Sequence, residues 1–301
     1  MLDTLWSGAG GPPHPELLQR NAYISMIETA QNVADRYGLT REEIEAFALR
    51  SHHHAARARD AGRLAKEVVP VAIPATRRTA ERLFEHDETI RDDTTLESLA
   101  KLPAQPGTTQ MTAGNSTSLS DGSSAAVIAS GDTVAGLGVA PLAKIVGSAV
   151  HALEPDLMGI APAWAMTKVF EAAGVAPDEI GVWEVHEAFA AQALGVLREL
   201  SMQFEGFEVP DERLNLNGGE RSPWDIRLVP REPAICSRLR SRCGSKTRAT
   251  ACWACARARG RVWPSCSRTT RRESGVNGHQ RSMGLGLSAE VSNSPLRSRK
   301  T

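Results

Sequence analysis

The stretch that decides the fold is Val182-Trp183-Glu184-Val185-His186-Glu187-Ala188-Phe189-Ala190, inside Gly181–Leu200. Val182 to Val185 reads as a short buried strand. Phe189, Ala190, Leu194 and Leu197 follow at the three-to-four spacing of an amphipathic helix. His186-Glu187 falls at the junction, at the strand's carboxyl end and the helix's first turn. Open α/β sheets gather ligand-binding groups there, because strand ends and helix N-termini converge on a crevice. Position alone leaves two readings open: a histidine that caps the helix, or a site residue.

Working outward, the flanking segments keep the same rhythm. Ala143 to Val150 reads as a strand, and Ala163 to Ala173 as a helix with Met166, Val169 and Phe170 inward, stopped at Gly174. Pro177-Asp178-Glu179-Ile180 restarts the chain into the strand quoted above. The alternation over residues 140–200 predicts a layered α/β architecture. Further upstream, Ile24, Ile27, Val33 and Ala34 line a helix to about Tyr37, closed by Gly38. Thr40-Arg41-Glu42-Glu43 is a capping box that opens a helix carrying Ile44, Phe47, Ala48 and Ala55. His52-His53-His54 lies on that helix, and successive side chains about 100° apart cannot all reach one metal; no metal site is expected. Val68 to Ile73 reads as an edge strand interrupted by proline, and residues 85–110 as polar and irregular. Met111 to Ser124 is a loop of small polar residues that lets backbone approach a ligand closely, running into Ala125–Ser130, a helix end or strand.

Charge divides the chain. The 301 residues carry 35 Lys and Arg and 35 Asp and Glu. From Glu220 to Thr301, however, there are 18 basic against 5 acidic residues, and all five cysteines (Cys236, Cys243, Cys252, Cys255, Cys266) lie there. No run approaches the roughly 20 apolar residues of a membrane span, and Met1 to Ser7 lacks the basic-then-apolar pattern of a secretory signal; a cytoplasmic protein is the expectation.

Four stretches together resemble the thiolase family, acyl-CoA acyltransferases that make or cleave a carbon–carbon bond beside a thioester. They are Tyr37-Gly38-Leu39-Thr40-Arg41-Glu42-Glu43 with Phe47 to His52; Thr112-Ala113-Gly114-Asn115 with Asp121-Gly122; Met158-Gly159-Ile160-Ala161-Pro162; and His186-Glu187-Ala188-Phe189-Ala190. The resemblance runs from about Ile24 to Gly219. The His-Glu-Ala-Phe form is most similar to the fatty-acid-oxidation branch, whose members pair with a multifunctional subunit.

The resemblance implies a two-step transfer in which a cysteine thiolate accepts the acyl group, while a second cysteine and a histidine move protons and oxyanion holes polarise the thioester carbonyls. His186 would hold a water in one such hole, Phe189 would wall the acyl pocket, and Met158 would lie close to it. Thr112, Ala113, Gly114, Asn115, Thr117 and Ser118 would lie along the pantetheine arm of coenzyme A. CoA thioesters are implied as substrates, with no further cofactor, and a homo-oligomer or a multifunctional-subunit partner belongs to the intact family.

Departures from the family pattern shape the expectation for this chain. No cysteine precedes Cys236, so the nucleophile has no counterpart. The family follows Asn-x-x-Gly-Gly with Gly-His-Pro and Cys-Ala-Gly-x-Gly, whereas here Asn215-Leu216-Asn217-Gly218-Gly219 is followed by neither. Back-translating Glu220 to Val229 and reading one base earlier permits Gly-Ala-Ile-Ala-Leu-Gly-His-Pro-Phe-Gly. The same shift over Trp253 to Gly260 permits Leu-Gly-Val-Cys-Ala-Gly-Ala-Gly. The tail therefore reads as a thiolase C-terminus out of frame.

The organisation expected is a partial thiolase fold of class α/β (layered α/β/α) in four parts. Residues 1–118 form the CoA-facing loop region of the N-terminal half. Residues 119–138 supply its closing helix or strand and a linker, and 139–219 the first half of the C-terminal domain. Residues 220–301 form a largely disordered basic tail. The chain itself is expected to be catalytically incomplete. The alternatives are a non-catalytic CoA- or partner-binding remnant and a nucleic-acid-binding tail. The tail carries no nucleic-acid-reading motif, so no specific nucleic acid is expected, and the Cys252–Cys255 spacing lacks the context of a zinc or redox motif.

Overall fold

Two N-terminal capping boxes set the helical scaffold. In the computed structural model, which describes residues 14–66, 68–85, 87, 89–118, 127–218, 250–254, 256–257, 261–262 and 265–268, a short helix α1 (Pro15–Gln19) precedes α2 (Met26–Tyr37). Ser25 caps α2 reciprocally with Glu28. Thr40 caps α3 (Arg41–Asp60) in the same way with Glu43, the Thr40 N–H donating to the Glu43 carboxylate at 2.8 Å. Each box satisfies N–H groups that a helix start leaves orphaned.

Val71–Ile73 (β1) pairs antiparallel with Arg82–Phe84 (β2) as a separate, exposed two-stranded ribbon. Within the segment expected to be irregular, Leu96–Ala100 forms a short helix, α4, capped by Thr95. The sequence of Ala125–Ser130 reads as a helix end or strand. Residues 119–126 lie outside the described residues, Val127 to Ser130 take no regular form, and the helix there is α5 (Gly131–Leu137). A short apolar run carries no period that distinguishes these outcomes.

The second half begins with β3 (Lys144–Ser148), a 3-10 turn at Pro155–Ile160, α6 (Ala161–Ala173), β4 (Ile180–Val185) and α7 (Ala190–Gln203). Within the basic segment expected to be largely disordered, short strands are described: β5 (Thr250–Ala254), β6 (Ala256–Arg257), β7 (Arg261–Val262) and β8 (Ser265–Arg268). The remainder of that segment lies outside the described residues. The main sheet has the order β3-β8-β5-β4, with β4 and β5 parallel and the other pairs antiparallel. Ladder pairing uses backbone N–H and C=O groups that every residue type carries, so a segment of unusual composition can still complete a sheet.

Helix α6 packs on the sheet, α7 lies beside α6, and α2 and α3 pack on α7. At the centre is Trp183, fully buried, edge-on to Phe170 at 5.7 Å and tilted against Phe207 at 5.9 Å. Helices α2 and α7 approach closely because Gly195 is on the contact: a Cβ there would stand 2.2 Å from Val33 Cγ1.

Candidate active site

Strand β4 ends at Val185 and α7 starts at Ala190, so four residues link them. Phe189 occupies the helix's N-cap position in extended geometry (φ −142°, ψ 141°), without a side-chain capping bond. His186 and Glu187 therefore lie ahead of the first turn rather than within it, and the helix-cap reading of His186 is corrected. Both are buried, Glu187 to 1% exposure.

What caps α7 is the upstream loop. The carbonyl of Asn115 accepts the Ala190 N–H at 3.0 Å, and the Thr117 N–H donates to the Ala188 carbonyl at 3.1 Å. Ser116 and Phe189 form an antiparallel bridge between these bonds. Two stretches far apart in sequence thus meet as a short piece of sheet.

The loop is braced internally. Asn115 Oδ1 accepts the Thr112 N–H at 2.8 Å, Asn115 Nδ2 donates to the Gln110 carbonyl at 2.8 Å, and Thr112 Oγ1 accepts the Gly114 N–H at 3.2 Å. Gln31 of α2 anchors its start, Oε1 accepting the Thr109 and Gln110 N–H groups at 3.0 Å each. Thr112, Gly114 and Asn115 are buried, with the side chains of Thr112 and Asn115 committed to the loop's own backbone. Ala113 and Ser118 are exposed and Thr117 half-buried. Buried polar groups need such partners, since an unmet one costs about 1–3 kcal/mol.

Glu187 is held from two directions. Ser51 Oγ, on α3, donates to Oε2 at 2.5 Å, and Asn215 Nδ2 donates to Oε1 at 2.5 Å. The same Asn215 amide brackets Val185, its Oδ1 accepting the Val185 N–H and its Nδ2 donating to the Val185 carbonyl, both at 2.8 Å. Asn215 takes a left-handed φ of 42° and its own N–H donates to the Trp183 carbonyl at 2.9 Å. The turn around it is tied to α3. Arg50 donates to the Leu214 carbonyl at 2.8 Å, and His54 Nδ1 stands 3.1 Å from the Asn215 carbonyl oxygen. Burial, reinforced by the Arg50 and Arg57 charges, lowers the His54 pKa against the opposing pull of that carbonyl. A Cβ on Gly218, itself at φ 82°, would fall 2.7 Å from Ala55 Cβ, so this turn seats directly on α3.

Sequence reasoning missed the roles of Ser51 and Asn215. Each was visible inside a recognised stretch, yet nothing local says that residues so far apart share one carboxylate.

Met158 is buried on the 3-10 turn before α6. Gln192, in the first turns of α7, donates through Nε2 to the Gly159 carbonyl at 3.2 Å, and Asn32 donates to the Asp156 carbonyl at 3.2 Å. Met158 is thus joined to the helix that follows His186. Phe189 is half-buried against the main core. The structure brings Phe189 together with the 112–118 loop through backbone pairing at Ala188–Ala190, with His186 two residues ahead of that pairing, and ties the turn that holds Met158 to α7 through the Gln192–Gly159 bond.

The three adjacent histidines face three environments. His52 is buried and accepts the Arg91 N–H at 3.2 Å, His53 is exposed, and His54 turns to Asn215. Among the described residues no group of three His, Cys, Asp or Glu side chains is arranged to hold a metal. The motifs that a frame shift would restore lie in 220–229 and 253–260, largely outside the described residues.

Comparison with known proteins follows this division. A family model described as "Thiolase, N-terminal domain" matches residues 14–132, and one described as "Thiolase, C-terminal domain" matches residues 139–222. The chain is 42% identical over 209 residues to a 3-oxoadipyl-CoA/3-oxo-5,6-dehydrosuberyl-CoA thiolase of Escherichia coli (strain K12), covering 68% of this chain and 50% of that protein. It is 39% identical over 205 residues to a 3-ketoacyl-CoA thiolase of Bacillus subtilis (strain 168), covering 65% and 51%. Among solved structures, the Bacillus anthracis acetyl-CoA acetyltransferase superposes with a TM-score of 0.72 at 32% identity, covering 89% of this chain and 64% of that one. The human mitochondrial 3-ketoacyl-CoA thiolase gives the same TM-score and coverage at 28% identity. The chain spans about half the length of the curated relatives it matches, and its α/β architecture is a partial thiolase fold. Both family models and the solved structures agree: this chain belongs to the thiolase family.

Proposed function

We propose that the chain carries the CoA-thioester side of an acetyl-CoA C-acyltransferase site, serving fatty-acid or acetoacetyl-CoA metabolism. The observation that carries this reading is the docking of the 112–118 loop on Ala188–Ala190, in the link that also holds His186 and Phe189, with Ala113 and Ser118 of that loop exposed and Thr117 half-buried. In this reading the loop follows the pantetheine arm, Phe189 and Met158 bound the acyl group, and His186 holds a water that polarises the thioester carbonyl. No cofactor is needed beyond the CoA thioester itself. Cytoplasmic placement belongs to the same reading; no described helix is long and apolar enough to cross a membrane.

Acyl transfer by this route needs a thiolate to attack the thioester carbonyl, and no cysteine precedes Cys236. We infer that these 301 residues by themselves bind CoA and its thioesters without turning them over. The family match ends at residue 222 although the chain continues, which supports the reading of 220–301 as an out-of-frame C-terminus; sequencing the gene across the codons for Gly218 to Trp224 tests that directly. For function, calorimetric titration with CoA and acetyl-CoA is expected to show saturable binding, and an acetoacetyl-CoA thiolysis assay no turnover. Measurable thiolysis would overturn the inactivity, and absence of saturable binding would overturn the CoA reading.

A partner-binding remnant is favoured by one further observation. Val127 (98% exposed), Ile128, Leu137, Val139, Leu142 and Ile145 leave apolar surface open over one short segment, more than isolated surface residues require. Light scattering across a concentration series would detect a homo-oligomer formed through it.

A further inference from the structure

We propose that Ser51 and Asn215 are positioning residues for His186, acting through Glu187. The proposal rests on the reading of His186 as part of the CoA-thioester site, and it concerns what aims that side chain.

Three observations converge. Glu187, Ser51 and Asn215 are each at most 2% exposed. Their bonds come from separate elements, Ser51 from α3 and Asn215 from the turn after α7, and meet on the two oxygens of one carboxylate. Hydrogen bonds to a carboxylate are among the stronger ones available inside a protein, so Glu187 is fixed in direction as well as in place. Asn215 also brackets both backbone groups of Val185, the residue immediately before His186. The backbone is thereby clamped on one side of His186 and the neighbouring side chain on the other.

Glu187 is drawn toward α3 by the Ser51 bond, so the backbone that carries His186 is held from the adjacent residue as well. Without the Ser51 hydroxyl the carboxylate loses the donor that ties it to α3, and the link gains freedom where the imidazole must hold its water. A loss of about 1 Å in aim is enough to weaken a polarising contact strongly. The α3 helix thus serves the site without touching the ligand.

The test uses the full chain, with Ser51→Ala, Ser51→Thr and, as a control on the same helix, Thr40→Ala. Alanine is the best helix former, so Ser51→Ala keeps α3; Asn215→Ala removes several bonds at once and is reserved for comparison. The first readout is the His186 imidazole resonance in the NMR spectrum of the ligand-free protein. The second is the ratio of acetyl-CoA to CoA affinity. Ser51→Ala is expected to move the resonance and to reduce that ratio about 3- to 10-fold, the scale of one ordinary hydrogen bond between the held water and the thioester. CoA affinity itself should hold. Ser51→Thr should restore both readouts and Thr40→Ala should move neither. If Ser51→Ala leaves the resonance where Thr40→Ala leaves it, or lowers both affinities equally, positioning is overturned. Should the unaltered chain bind neither ligand, the CoA reading fails alone, and the resonance still decides the role of Ser51.

Discussion

The carbonyl of Asn115 accepts the N–H of Ala190 at 3.0 Å, so the start of α7 is capped by main chain from a loop far upstream. This bond makes the 112–118 loop and the His186–Ala190 link one unit. It also explains why Phe189, which has no capping group, can occupy the N-cap position.

Asn115→Ala should be costly. It removes the acceptor of the Thr112 N–H and the donor to the Gln110 carbonyl, leaving one buried and one half-buried group unmet. A loss of about 2–4 kcal/mol is expected, read as a lower urea midpoint at unchanged slope. A shift below about 0.5 kcal/mol would mean that the loop lies outside the cooperative unit.

Gly195→Ala sets helix propensity against packing. Propensity alone favours alanine by about 1 kcal/mol, whereas the new Cβ would stand 2.2 Å from Val33 Cγ1 and 3.2 Å from Ile160 Cγ2. Overpacking should win, with a net loss of about 1–3 kcal/mol. Adding Val33→Ala should recover part of it; a stabilised Gly195→Ala would refute the close approach of α2 and α7.

Tyr37 donates its hydroxyl to the Glu199 carboxylate. Burial first, then that carboxylate, raises the phenol above its ordinary range. The native state therefore keeps a proton that the unfolded chain releases near pH 10. Stability from this group is fully present below about pH 10 and is lost as pH rises toward the native value. Chemical denaturation between pH 8 and 11 should show a steeper alkaline loss in the unaltered protein than in Tyr37→Phe. Parallel curves would rule out the linkage.

His54 gives the opposite edge. Its lowered pKa means that the unfolded chain binds a proton from about pH 6.5 while the native state stays neutral. Its contribution is present above that pH and declines on acidification toward the native value. His54→Gln should flatten the fall in stability between about pH 7 and 5. An unchanged acid limb would exclude His54 as a source.

Local chemistry was readable without any structure. The Thr40–Glu43 box, the helix stops at Gly38 and Gly174 and the strand before His186 each depend on residues within a few positions, and each formed as read. The Ser25–Glu28 box is an equally local signal. Ala125–Ser130 could not be resolved by pattern, because an apolar run that short fits strand and helix alike. The resemblance places Asn115 along the ligand, whereas its side chain braces the loop internally.

By itself, the sequence determined the family resemblance, the α/β alternation and the position of His186-Glu187 at a strand end. These follow from residue type and short-range spacing, which act along the chain. Only the tertiary structure decided that Ser51, Glu187 and Asn215 share one buried carboxylate, and that the 112–118 loop caps α7. Those bonds join residues brought together by packing, and hydrogen-bond geometry at 2.5 to 3.0 Å is fixed in space rather than along the chain.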